Sequence, residues 1–217
     1  MGLSKPALDL VIFDCDGVLV DSEPIANRIF ANQLRRVHIA MSVDEVMARF
    51  MGKTRSGCLQ LAAELAGRPL PDDFGQVWDA ALFEALNEVT PVEGVPDVLA
   101  SLTAPYCVAS NSIPERIRLS LKAAGLLRRF KGRIFSASEV ARPKPAPDLF
   151  LHAARSMNAA PSRTVVIEDS ITGVQAGVAA GMKVLAYAPN KEQQTSMREF
   201  GATPFSVMSE VAGLLLL

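Results

Sequence analysis

Four short apolar segments recur along the chain with strand-like composition: Leu8 to Phe13, Tyr106 to Ala109, Thr164 to Ile167 and Lys183 to Tyr187. A weaker fifth, Arg133 to Phe135, lies between the second and third. Between them the apolar positions change period. Ile113, Ile117 and Leu121 are spaced by four, and the Ala-rich run from Pro147 to Met157 has the same helical character. Strands alternating with helices predict an α/β domain whose parallel sheet is covered on both faces.

From Ser22 to Glu88 that alternation stops. Pro24 to Arg36, Val43 to Phe50, Ser56 to Ala66 and Phe74 to Asn87 read as consecutive helices with no convincing strand between them. Gly67-Arg68-Pro69 and Pro71 punctuate helix connections, and Pro91 with Gly94 marks the return. The expected organisation is an α/β core over residues 1–21 and 91–217, interrupted by a helical block over 22–90. The apolar end, Val211 to Leu217, is far too short for a bilayer span and reads as a docked helix end.

Composition excludes several classes. The chain has 217 residues, 49% of them apolar and 21% charged, enough for a sizeable core. A formal net charge of -1 gives no reason to expect nucleic acid or an anionic membrane as partner. No obligate protein partner is evident. Cys15, Cys58 and Cys107 are too few and too scattered for a disulfide framework or a zinc site, so reduced thiols are expected. Asp9 and Asp14 interrupt the first apolar stretch, which disfavours a secretion signal and leads to an expected cytoplasmic location. Gly2 invites N-myristoylation, but Pro6 stands where Ser or Thr is required.

The chemistry is written at the strand ends, where open parallel sheets bind ligands. The first strand ends in Asp14-Cys15-Asp16-Gly17, and alternation along an extended chain would put both carboxylates on one side with Cys15 on the other. Tyr106 to Ala109 ends in Ser110-Asn111, and Thr164 to Ile167 ends in Glu168-Asp169. The loop after the weak strand carries Lys144 between Pro143 and Pro145. A nucleophilic carboxylate, a second carboxylate for protons, a hydroxyl with an amide, a cation and an acidic pair suit phosphoryl transfer to Asp14. Mg2+ would offset the repulsion between phosphate and the attacking carboxylate, with Lys144 and backbone amides stabilising the phosphoryl oxygens. Asp16 would protonate the leaving alkoxide and later deprotonate the attacking water.

Plainer readings stand beside these. Ser110-Asn111 alone would be a turn or a helix cap. Glu168-Asp169 would suit the positive end of the following helix. Cys15 reads as core packing, its backbone amide facing phosphate. Gly173, Gly177 and Gly181 read as close helix-to-sheet packing with a C-terminal cap at Gly181. Lys53 and Arg55 are divided between a solvated loop and substrate contact.

Other chemistries lack parts. The histidines, His38 and His152, fall in expected helices away from any candidate nucleophile, which removes a His-based triad. Asp21 stands where a cysteine phosphatase would want arginine. Gly52-Lys53-Thr54 resembles the end of a P-loop, but Met47 occupies the position of its earlier glycine.

Taken in order, Asp14-Cys15-Asp16-Gly17-Val18 with Asp21-Ser22-Glu23, then Ser110-Asn111, then Lys144 within Arg-Pro-Lys-Pro-Ala-Pro-Asp, then Glu168-Asp169-Ser170, the chain resembles the haloacid dehalogenase superfamily of phosphohydrolases over essentially its full length. The resemblance implies a Rossmann-like, doubly wound core with an inserted small α-helical cap. It also implies Asp14 as nucleophile and Asp16 as acid/base. Mg2+ would be held by Asp14, the backbone carbonyl of Asp16, and Asp169, with Glu168 in support. Asp16 argues for phosphate over organohalide. Ala26 and Met51 stand where the similar β-phosphoglucomutases carry a histidine and a lysine, which disfavours sugar-phosphate isomerisation. Arg55 matches a cap arginine used on a substrate's distal groups. The segment Leu102 to Asn111 resembles bacterial phosphatases acting on 6-phosphogluconate and related sugar phosphates, so the expected ligand is a small phosphorylated metabolite.

Overall fold

A computed structural model describes residues 8–50 and 55–216. Strand β1, Leu10–Phe13, is buried along its whole length, which explains an apolar run with no polar alternation. β2, Val20–Asp21, pairs antiparallel with β3, Thr90–Pro91, where the chain leaves for and returns from the helical block. That block holds α1 (Glu23–Arg35), α2 (Val43–Phe50), α3 (Arg55–Ala66) and α4 (Phe74–Ala85). The remainder runs α5 (Val95–Ser101), β4 (Tyr106–Ser110), α6 (Pro114–Ala123), β5 (Ile134–Ser136), α7 (Asp148–Ser156), β6 (Thr164–Glu168), α8 (Ile171–Ala179), β7 (Lys183–Tyr187), α9 (Lys191–Glu199), β8 (Thr203–Phe205) and α10 (Val211–Leu215).

The main sheet is parallel, in the order β5-β4-β1-β6-β7-β8. Strand order reverses around β1, between β4 and β6, so their carboxyl ends border the crevice where such sheets bind ligands. Leu10, Ile12, Cys107, Ala109, Val166 and Val184 form much of the core with α7 and α8. Gly177 lets α8 approach: a Cβ there would come within 2.6 Å of Val184. Gly181, at φ +71°, ends that helix, its N–H bonded to the Val178 carbonyl.

The chain divides into two compact units, one holding the chain through Asp21 and from Thr90 onward, the other Ser22–Val89. The helical unit has its own core, in which Phe30 lies 4.9 Å from Phe50 and 4.3 Å from Trp78 between ring centroids. Among the described residues, no helix is long and apolar enough to cross a membrane.

The structure amends some sequence expectations. β8 gave no apolar run because it is a three-residue edge strand built around Pro204, and an edge tolerates the missing N–H. β2 and β3 have two residues each, too short for any period. His38 is not helical: α1 ends at Arg35 and His38 sits in the following turn at φ 64°. α4 stops at Ala85, and Leu86–Glu88 tighten into a 3-10 turn. Gly52, Lys53 and Thr54 lie outside the described residues, as does Met51.

Candidate active site

Asp14 is the first residue beyond β1, and its N–H still donates to the Ile167 carbonyl at 2.9 Å, so the strand register delivers it to the crevice. The chain then turns. Leu19 and Val20 donate to the Cys15 carbonyl, and Gly17 adopts φ +80°. A Cβ on Gly17 would lie 2.0 Å from an Asp169 carboxylate oxygen, so the turn needs glycine for its conformation and for the space. Strand alternation therefore does not carry through to Asp16, which belongs to this turn, and the two carboxylates have different neighbours.

Lys144 joins the elements. The residue is 6% exposed, and its ammonium donates to Asp14 Oδ1 at 2.6 Å, Glu168 Oε1 at 2.7 Å and the Ala109 carbonyl at 2.9 Å. These three acceptors match its three donors, and the group also sits over the Phe150 ring at 4.5 Å. Asn111 holds the loop that delivers it. Its Oδ1 accepts from the Lys144 N–H at 3.0 Å and its Nδ2 donates to the Lys144 carbonyl at 3.1 Å, so the side chain expected to bind phosphate is engaged with the lysine backbone.

Glu168, at the end of β6, is 1% exposed. Its Oε2 accepts from the Asp169 N–H, the Ser170 N–H and the Ser170 hydroxyl at 2.9, 3.0 and 2.9 Å. Gly173 makes room: a Cβ there would fall 1.8 Å from this carboxylate, a tighter demand than ordinary helix-to-sheet packing.

Asp14, Glu168 and Asp169 each offer a carboxylate oxygen, and these lie within 4.8 Å of one another. The Lys144 ammonium meets two of these carboxylates directly, and the third, Asp169, crowds further negative charge into the cluster. Burial pushes the Asp14 carboxyl up; Lys144 pulls it back and Glu168 raises it further, leaving it at about 7. Burial alone would lower Lys144, but Asp14 and Glu168 outweigh it and the ammonium is held above its usual range. A cluster of hard carboxylate oxygens fits a divalent cation of the Mg2+ type.

Asp16 stands apart from that group. Its Oδ2 accepts from the Ser112 hydroxyl at 3.0 Å, and its Oδ1 lies 3.8 Å from an Arg116 Nη. Ser110 is 3% exposed at the end of β4, its Oγ accepting from the Ser112 N–H at 3.1 Å. Cys15 is 1% exposed, with burial holding its thiol well above the usual range. The α/β unit thus brings together Asp14, Cys15, Asp16, Ser110, Asn111, Lys144, Glu168 and Asp169. Arg55 lies in the helical unit, where its guanidinium makes a two-point pair with Asp79 at 2.9 and 2.7 Å and lies 6.0 Å from the Trp78 ring. Lys53 is outside the described residues.

Sequence reasoning missed Ser112, Arg116 and the Ala109 carbonyl, and named Ser170 within a motif without giving it a role. Ser170 followed Glu168-Asp169 as a cap-type residue, a legible signal, and its Oγ indeed caps α8 by accepting from Gly173 N–H. The others carry no pattern of their own.

Residues 8–181 match the family model of haloacid dehalogenase-like hydrolases. The chain belongs to that family. Among its haloacid dehalogenase-like relatives, the 6-phosphogluconate phosphatase of Escherichia coli (strain K12) is 30% identical, over 95% of this chain and 94% of that protein. Hexitol phosphatase A of the same organism is 34% identical over 81% of each. A solved haloacid dehalogenase-family hydrolase from Deinococcus radiodurans R1, with bound phosphate and sodium, is 32% identical with a TM-score of 0.84, covering 97% of this chain and 96% of that one.

Proposed function

We propose that this hydrolase is a Mg2+-dependent phosphomonoesterase acting on a sugar or polyol phosphate through a covalent aspartyl-phosphate at Asp14. The observation that carries the reading is the separation of two carboxylates onto different partners. Asp14 is held by Lys144 beside Glu168 and Asp169, whereas Asp16 is held by Ser112 beside Arg116. One is fitted to attack and the other to move protons. Relatives whose names specify phosphatases of a sugar acid and of hexitols support the substrate class.

In the first step an Asp14 carboxylate oxygen bonds to phosphorus as the phosphorus–alkoxide bond breaks, and Asp16 gives its proton to the departing oxygen. In the second, water attacks phosphorus, Asp16 takes a proton from it, and Asp14 leaves as a carboxylate. Lys144 keeps Asp14 in place and supplies positive charge as the phosphoryl group is transferred. Asn111 fixes the backbone of Lys144, and Ser110 stands ready to donate its hydroxyl to a phosphoryl oxygen. Mg2+, held by Asp14, Asp169 and the backbone carbonyl of Asp16, with Glu168 in support through its charge, would neutralise phosphoryl charge when bound. The helical unit is assigned the role of a cap that sets specificity, with Arg55 directed to the substrate's distal groups.

Phosphate release from a panel of sugar and polyol phosphates, with and without Mg2+, tests this reading beside an Asp14→Asn variant. Release that requires both Mg2+ and Asp14 is expected. Isomerised product without free phosphate would favour a phosphomutase, and unchanged turnover in Asp14→Asn would overturn the proposed nucleophile.

A further inference from the structure

Arg116 occupies an unfavourable place by local rules. It lies in the first turn of α6, where the helix dipole favours anions, so its position calls for a tertiary reason. The reason faces it. Asp16 Oδ1 and Arg116 Nε are both buried atoms with no hydrogen-bond partner among the described residues, and the guanidinium reaches to 3.8 Å of that oxygen. Leaving such groups unsatisfied is costly and rarely persists without a use. The other Asp16 oxygen is treated differently, accepting a hydrogen bond from Ser112 at 3.0 Å.

We propose that Arg116 and Ser112 together position Asp16: Ser112 fixes Oδ2 by a hydrogen bond, and Arg116 draws Oδ1 by charge while leaving its lone pairs for the transferred proton. The proposal rests on the phosphomonoesterase reading and deepens it. A carboxylate held by two hydrogen bonds to its oxygens would have fewer lone pairs for proton transfer; one held by neither would swing. Arg116 touches neither phosphorus nor leaving group in this account and acts through Asp16. Both residues come from the segment immediately after β4, so the same strand that presents Ser110 and Asn111 also sets the acid/base group.

Leaving-group dependence tests the idea. An alkyl phosphate needs a proton on its departing oxygen, whereas p-nitrophenyl phosphate expels a stable phenolate without one. The kcat/KM of Arg116→Met and Ser112→Ala should fall roughly tenfold to a hundredfold on a sugar phosphate, with far smaller loss on p-nitrophenyl phosphate. Arg116→Lys, which keeps the charge, should recover most of the sugar-phosphate rate. In an Asp16→Asn background, adding Arg116→Met should change nothing further, because the group it acts through is gone. Equal losses on both esters, no loss on either, or additive loss in the Asp16→Asn background would overturn the inference and leave the phosphomonoesterase reading intact. Failure of the unaltered protein to hydrolyse either ester would contradict that reading and the inference with it.

Discussion

Lys144 shows how much one side chain can decide. Its three hydrogen bonds tie the ends of β1, β4 and β6 together, and it neutralises part of a buried acidic group. Lys144→Met should abolish turnover and lower the stability of the metal-free protein by about 3 kcal/mol, as expected when a buried ion pair loses one member; denaturant unfolding measures the loss. Arg55 should behave differently. Its pair with Asp79 is half exposed, so Arg55→Ala should cost under about 1 kcal/mol. A rise in KM with little change in kcat would mark the proposed contact with substrate, and steady-state kinetics would show it. At this scale Asp14, Lys144 and Asp169 were legible because each follows an apolar run or sits pinned in a loop. Arg116 was not, because an arginine near a helix start looks like any solvated charge until the turn after β1 is seen folded beside it.

Among elements, those with a full period were read best. Val43–Phe50 is helical over the expected residues, and the four strong strands all appear, each within about two residues of its expected ends. The first helical turn of α2 shows why such a short helix holds. Ser42 N–H donates to Glu45 at 2.8 Å and Glu45 N–H donates to the Ser42 hydroxyl at 3.2 Å, a reciprocal cap. The Ser42 hydrogen bonds lower the Glu45 pKa below its ordinary 4.5. A depressed carboxyl pKa stabilises the fold above the unfolded value and loses that contribution as pH falls through the folded one. Glu45→Gln should therefore lower the unfolding midpoint near neutral pH, and the difference from the unaltered protein should shrink as the pH falls below 4.5. Thermal melts across that range check the sign. The elements that escaped sequence reading lacked this kind of information: β8 is an edge strand centred on proline, and β2 and β3 are pairings of two residues.

For the whole molecule, the α/β unit holds the candidate residues Asp14, Asp16, Ser110, Asn111, Lys144, Glu168 and Asp169, and the helical unit interrupts its sequence between β2 and β3. The alternation of strand and helix made that parallel sheet legible, as did the break in alternation for the insertion. The clustering of Asp14, Glu168 and Asp169 has a consequence for the whole fold. A cation that binds the native site stabilises it by mass action, so the unfolding midpoint should rise with Mg2+ concentration and stay flat in Asp169→Asn. Chelation of the metal should reverse the rise. The proposed covalent role of Asp14 is tested most directly by quenching turnover of a sugar phosphate in acid and weighing the peptides. The expected result is a phosphoryl group on the peptide carrying Asp14, lost in Asp14→Asn. Steady turnover with no phosphoryl group on that peptide, or with one on another residue, would contradict it.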